Sequence, residues 1–161
     1  MAGQAHSPIS SLRSESVNLI YLDTSALVKL YVREPGTDDV QRLVKNSTAT
    51  GTSLISKAEA AAAFSKAIRV GYIAPEEARA AWGAFLDAWP SLVRLAINET
   101  IATQAGTLAF SYGLRGYDAV HLATVLNWQD TLDIPVLFAT YDQQLWTIAK
   151  QVQIAVWPGT F

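Results

Sequence analysis

From Val17 onward, short apolar runs alternate with longer stretches of helical period. Leu19-Ile20-Tyr21-Leu22 is apolar at successive positions, as a strand covered on both faces is. Thr24 to Arg33 has helical character and stops at Pro35-Gly36. Asp38 to Lys45 predicts a second short helix, with Thr37 as its cap. Thr52-Ser53-Leu54 is a weak strand signal, and an alanine-rich helix runs from Ser56 to Gly71. Pro75-Glu76-Glu77 opens the next helix, whose apolar face is Ala78, Ala81, Trp82, Phe85, Leu86 and Trp89. Leu92 to Leu95 predicts a strand. Asn98 caps a helix carrying Ile101, Ala105, Leu108 and Tyr112 on one face, which Gly113 closes. Tyr117 to Trp128 is helical and apolar nearly all round, so it predicts a buried helix. A strand over Pro135–Ala139, a helix from Gln143 to Lys150 and a strand over Ile154–Trp157 complete the pattern. Strands alternating with helices predict an α/β fold, with a parallel sheet covered by helices on both faces.

Composition narrows the picture. At 161 residues the chain suits one domain, expected over 17–161. Residues 1–16 lack an apolar core segment and do not form a signal peptide. They read as a disordered extension, an overlong start assignment or an expression-derived segment. Hydrophobic residues make up 50% of the chain and charged residues 16%, against about 25% charged in ordinary domains. A disordered chain is excluded, and some apolar surface is expected to meet a partner. The absence of cysteine excludes disulfide scaffolds, thiolate zinc sites and cysteine nucleophiles. With no apolar run long enough to span a bilayer, a cytoplasmic location is expected.

Four acids stand out in a chain this poor in charge. Asp23 directly follows the first strand, Glu59 lies one turn into the helix after the second, Asp118 opens the apolar helix, and Asp142 lies just past the Val136–Ala139 segment. Ligands of open parallel sheets bind at the carboxyl ends of the strands, so these four side chains would share one site. Crowded carboxylates do not all stay ionised without a cation. Hard oxygen donors favour Mg²⁺ or Mn²⁺ over zinc, and carboxylate-held Mg²⁺ suits phosphoryl chemistry. Each acid also has a local explanation. Asp23 and Asp142 could cap the helices that follow them, Ser56-x-x-Glu59 matches a capping box, and Asp118 suits the positive end of its helix.

The segments around the acids carry a resemblance. Ile20-Tyr21-Leu22-Asp23-Thr24-Ser25-Ala26 resembles the opening motif of PIN-domain nucleases, and Ser53-x-x-Ser56-x-x-Glu59-Ala60 their second. Tyr117-Asp118-Ala119-Val120-His121-Leu122-Ala123 is similar to the third, and Ala139-Thr140-Tyr141-Asp142-x-x-Leu145 to the fourth. Within that family the compact size most resembles VapC-type toxins of toxin–antitoxin pairs. Their first acid usually lies close to the initiator Met, so the start of this chain departs from their pattern. The resemblance implies a three-layer α/β/α sandwich and a Mg²⁺- or Mn²⁺-dependent endoribonuclease. It implies Asp23, Asp118 and Asp142 as metal ligands, Glu59 as a ligand or its support, and Thr140, Ser25 and Thr24 steadying the site by hydrogen bonds. Water activated by the metal would attack an RNA phosphodiester in line. It further implies a homodimer and a cognate antitoxin that blocks the site.

Setting the four acids aside leaves ten acidic against twelve basic residues, a slightly basic remainder. Arg115 and Lys57, with Lys29, Arg33, Lys66 and Arg69, are candidates for backbone phosphates, against the simpler reading of solvated surface charges. His121 reads as a buried, hydrogen-bonded histidine ahead of a ligand or a proton shuttle. The Trp82, Phe85 and Trp89 stripe reads as core or dimer contact ahead of base stacking. The alanine-rich helix and its successor are the expected partner surface. Two other classes compete: a non-catalytic PIN-like module binding RNA or protein, which would be expected to have lost an acid, and a different Mg²⁺-dependent α/β protein. A receiver needs an acidic pair near its first strand, and a haloacid-dehalogenase-like phosphatase needs D-x-D where residue 25 is Ser.

Overall fold

A computed structural model describes residues 18–161, and the extension expected over 1–16 lies outside these described residues. Five strands form one sheet: β1 (Leu19–Leu22), β2 (Ala49–Ser53), β3 (Val93–Leu95), β4 (Val136–Ala139) and β5 (Val156–Trp157). Their order is β3-β2-β1-β4-β5 and every pairing is parallel. Helices α1 (Thr24–Leu27), α2 (Thr37–Lys45), α3 (Ser56–Arg69), α4 (Pro75–Ala88), α5 (Glu99–Tyr112), α6 (Gly116–Leu132) and α7 (Gln143–Gln151) connect the strands.

Side-chain alternation along β1 divides the core. Ile20 and Leu22 join Leu27, Val40, Phe64, Phe85 and Trp89 on the face covered by α1 to α4. Leu19 and Tyr21 join Leu108, Leu122, Trp128, Phe138 and Leu145 on the face covered by α5 to α7. Both faces of β1 are buried, which is why its sequence is apolar without alternation. The three-layer α/β/α arrangement is the one the sequence implies. No helix among the described residues is long and apolar enough to cross a membrane.

Several elements differ from expectation. The helix expected over Thr24–Arg33 is one α-helical turn followed by a 3-10 turn at Val28–Leu30. Thr37 does not cap α2. Gly36 holds the cap position at φ 92°, a left-handed backbone that glycine adopts without cost, and Thr37 Oγ1 accepts instead from the Glu34 amide. The second strand begins three residues earlier than expected, at Ala49. Its Ala-Thr-Gly-Thr-Ser sequence hides a buried strand behind small and polar residues. Burial is tolerated because Thr52 Oγ1 donates to the Leu22 carbonyl at 2.7 Å and meets Ser56 Oγ at 2.7 Å. Asn98 caps α5 as expected, its side chain accepting from the Ile101 amide at 2.9 Å.

Chain order positions the site. The chain builds outward from β1 through β2 to β3, then returns to β4 on the other side of β1. The direction of sheet growth reverses between β1 and β4, and a crevice opens there at the strands' carboxyl ends. The segments after β1 and β4 carry Asp23 and Asp142.

Candidate active site

Asp23 follows β1 at the floor of this crevice and is 3% exposed. Its Oδ1 accepts from Ser25 Oγ at 2.6 Å and from the Ala26 amide at 3.0 Å, so the capping role is real. Oδ2 accepts from Thr140 Oγ1 at 2.5 Å. The two hydroxyls also lock the neighbouring segment: Ser25 Oγ accepts from the Tyr141 amide at 2.8 Å, and Thr140 Oγ1 from the Asp142 amide at 3.1 Å. The carboxylate is thereby fixed between the ends of β1 and β4. Burial pushes the Asp23 carboxyl above its usual range, against the opposing charge of His121 and the hydrogen bonds from Ser25, Thr140 and Ala26.

Glu59 does not close a capping box. Ser56 is the first residue of α3 rather than its cap, and its hydroxyl meets Thr52. Glu59 instead reaches the crevice, where Oε1 accepts from Thr24 Oγ1 at 2.8 Å and lies 2.7 Å from His121 Nε2. His121 Nδ1 is 2.8 Å from the Tyr21 hydroxyl. Burial by itself would raise the Glu59 carboxyl. The hydrogen bond and charge of His121, with Thr24, more than offset it and hold the group below its usual range. An ionised Glu59 only accepts, so Nε2 carries a proton. Nδ1 meets the Tyr21 hydroxyl, which burial pushes well above its ordinary pKa. His121 is therefore buried and hydrogen-bonded, as expected, yet it also grips a candidate acid. That grip was not legible beforehand. The available signal was its position three residues after Asp118, on the same side of α6.

Asp118 in the first turn of α6 and Asp142 at the start of α7 face each other across Arg115. Arg115 Nε donates to Asp118 Oδ2 at 2.8 Å, and Arg115 Nη2 donates to Asp142 Oδ2 at 2.6 Å. Asp142 Oδ1 accepts from the Leu145 amide at 2.8 Å and caps α7. The two carboxylates hold the Arg115 guanidinium above its ordinary pKa, Asp118 contributing most.

One pocket of about 250 Å³ is lined by Asp23, Thr24, Ser25, Glu59, Arg115, Tyr117, Asp118, His121 and Asp142. All four expected acids line it, together with the two hydroxyl residues beside Asp23. Thr140 stands behind Asp23. Lys57 is not among the lining residues; its ammonium lies over the Trp89 ring at 5.7 Å. Of the six basic candidates for backbone phosphates, only Arg115 lines this pocket. Tyr117 is an additional wall residue that the sequence pattern assigned to a buried helix, and it is 62% exposed. A larger depression at the opposite end of the strands, around Asn18, Lys45 and Pro135, carries no acid.

The donor set suits a hard divalent cation, since it offers carboxylate and hydroxyl oxygens with no thiolate. Among the described residues, no three His, Cys, Asp or Glu side chains are drawn together into a ready-made ion-holding group. The chemistry fits such an ion, whereas the carboxylates are at present engaged with hydroxyls, His121 and Arg115.

Known proteins share this architecture. The PIN domain family model matches residues 20–150. Ribonuclease VapC49 of Mycobacterium tuberculosis (strain ATCC 25618 / H37Rv) is 32% identical over 141 residues, covering 88% of this chain and 96% of its own length. Among solved structures, FitAcB from Neisseria gonorrhoeae superposes with a TM-score of 0.59 at 16% identity, over 86% of this chain and 96% of that one. A toxin–antitoxin complex from Klebsiella pneumoniae gives 0.50 at 19% identity, over 73% and 83%. Likeness at such low identity speaks for the fold, and the match to the family model runs from β1 through β4 into α7 and takes in all four acids: the chain belongs to the PIN-domain family.

Proposed function

We propose that this chain is a divalent-metal-dependent endoribonuclease, the toxin of a toxin–antitoxin pair, with residues 17–161 as its catalytic unit. The observation that carries this reading is the meeting of Asp23, Glu59, Asp118 and Asp142 in one pocket at the sheet's switch point. The likeness to a protein named a ribonuclease supports the substrate class.

Asp23, Asp118 and Asp142 would hold Mg²⁺ or Mn²⁺, with Glu59 as a further ligand or as a partner held by Thr24 and His121. The ion, when bound, acidifies water and neutralises developing charge on a phosphoryl group. The chain's own residues do the positioning. Ser25 and Thr140 fix both oxygens of Asp23. Thr24 and His121 keep Glu59 ionised and aimed into the pocket, and Tyr21 fixes the His121 ring from behind. Arg115 and Tyr117, both exposed at the mouth, are the groups an entering RNA strand would meet first.

The named toxin–antitoxin complex among its structural relatives motivates an antitoxin partner for this chain, and the homodimer is what the family resemblance implies. The end of α3 and the turn beyond it leave Ile68, Val70 and Tyr72 exposed, and α4 leaves Leu86 exposed, although the Phe85 and Trp89 part of the stripe is buried in the core. These apolar groups make the α3–α4 region the proposed partner surface.

The decisive experiment incubates purified chain with total cellular RNA in Mg²⁺, in Mn²⁺ and in chelator, beside the Asp23→Asn variant. Discrete fragments that need metal and vanish in the variant are expected. A folded, antitoxin-free protein that cleaves nothing in either metal would overturn the reading, as would equal cleavage by the variant.

A further inference from the structure

Arg115 sits on the oxygens a cation would need. Asp142 has two oxygens, and Oδ1 is committed to the Leu145 amide as the cap of α7. The other oxygen, Oδ2, accepts from Arg115 Nη2 at 2.6 Å. The same guanidinium donates through Nε to Asp118 Oδ2 at 2.8 Å. Two of the three proposed ligands are therefore bridged by one fixed positive fork, a geometry that suits paired carboxylates. We propose that Arg115 is the pocket's internal counter-ion, competing with the divalent cation for Asp118 and Asp142 and leaving them when the cation binds. The proposal rests on the metal-dependent reading above.

Electrostatics makes the two occupants exclusive. The Asp118 and Asp142 side chains are only 16% and 24% exposed, so their charges are partly desolvated and need a partner. A guanidinium supplies one charge and a divalent ion two. Both held on the same oxygen would stand a few ångströms apart, where like charges repel. The tether permits exchange. Arg115 has 72% of its side chain exposed and lies between Gly113, at φ 67°, and Gly116, so the side chain can swing outward while buried Leu114 keeps the loop anchored. The competition also accounts for the dispersed acids, since carboxylates spread around a guanidinium are not gathered on a single point.

The test uses the full chain and Mg²⁺ alone, without RNA. ¹⁵N-labelled wild type is titrated from chelator into Mg²⁺ while the arginine Nε–H signals are followed, the Arg115 signal being the one missing from Arg115→Gln. Calorimetry on the same proteins gives the Mg²⁺ affinity. The Arg115 signal should leave its ion-paired position with the midpoint of Mg²⁺ binding. The variant should bind Mg²⁺ tighter by roughly fivefold or more, the lower end of coupling between linked sites. Tighter binding by the variant with a wild-type Arg115 signal that does not move would mean a diffuse charge effect and would overturn the proposal. Unchanged or weaker binding by the variant would overturn it too, by showing that Arg115 assembles the ligands. If neither protein binds Mg²⁺, the metal-dependent reading itself fails and the competition with it.

Discussion

At Asp142 a single carboxylate serves two masters, capping α7 through Oδ1 and meeting Arg115 through Oδ2. Asp23 likewise caps α1 while forming the floor of the pocket. Sequence reasoning sets capping and chemistry against each other for these residues, and at both positions the local role holds without excluding the other. Helix N-termini concentrate N–H donors, so a carboxylate anchored there is oriented at little extra cost. The buried Asp23 charge is nevertheless expensive. Its carboxyl is raised in the folded state, so the folded protein holds the proton more tightly than the unfolded chain, and ionisation at neutral pH opposes folding. Asp23→Asn should therefore raise Tm at pH 7 in chelator, and the gain should shrink as pH falls through the raised range of the folded carboxyl and be gone by about pH 4, below which the wild-type group is protonated in both states. Thermal melts of both proteins across pH check this, and a variant less stable than wild type at pH 7 would contradict it.

At the scale of elements, β2 and α6 show how close packing selects residues. A Cβ added at Gly51 of β2 would lie 2.6 Å from the Trp128 ring of α6, closer than Cβ atoms come to non-bonded neighbours. The ring belongs to the core and is 8% exposed, so it has little room to yield. Gly51→Ala should destabilise by about 1–3 kcal/mol, the usual range for an overpacked core, as measured by urea unfolding. A variant as stable as wild type would mean that the helix can shift away from the sheet. The Asn98 cap of α5 offers a contrast at an exposed end, where Asn98→Ala should cost about 1 kcal/mol and leave the candidate site untouched. The same unfolding curves measure it, and a loss of Mg²⁺ binding in that variant would be unexpected.

For the molecule as a whole, the pocket joins segments distant in sequence. Thr140 to Asp23, Glu59 to His121 and Arg115 to Asp142 each tie one chain segment to another across the crevice. A cation binding only the folded state should stabilise it by about 2.7 kcal/mol at one hundred times its dissociation constant. For a domain of this size that is a rise in Tm of roughly 5–10 °C, which chelator should remove. Asp142→Asn should lose most of this response, since it removes one of the negative charges facing the cation. An identical Tm in Mg²⁺ and chelator for the wild type would count against metal binding altogether.

The order of elements, the buried β1, the Asn98 cap and the four acids were all legible in the sequence, because apolar period and capping chemistry are local properties. The placement of the acids after strands and at helix starts supplied their grouping, the resemblance of four short segments supplied the layered fold, and the sheet bears out the fold. Other features depend on contacts that no local pattern encodes. The start of β2 was hidden because Thr50, Gly51 and Thr52 are chosen for their neighbours rather than for hydrophobicity. Glu59 sits in a sequence that mimics a capping box, and only the approach of α6 beside α1 gives it Thr24 and His121 instead. Whether Arg115 faced solvent or carboxylate was likewise a question of loop placement, decided by the return of the chain to β4. Local sequence thus determined which elements form and which charges lie at their ends. Tertiary structure alone decided which of those charges meet, because the energy of an ion pair depends on distances between segments that the chain brings together only on folding.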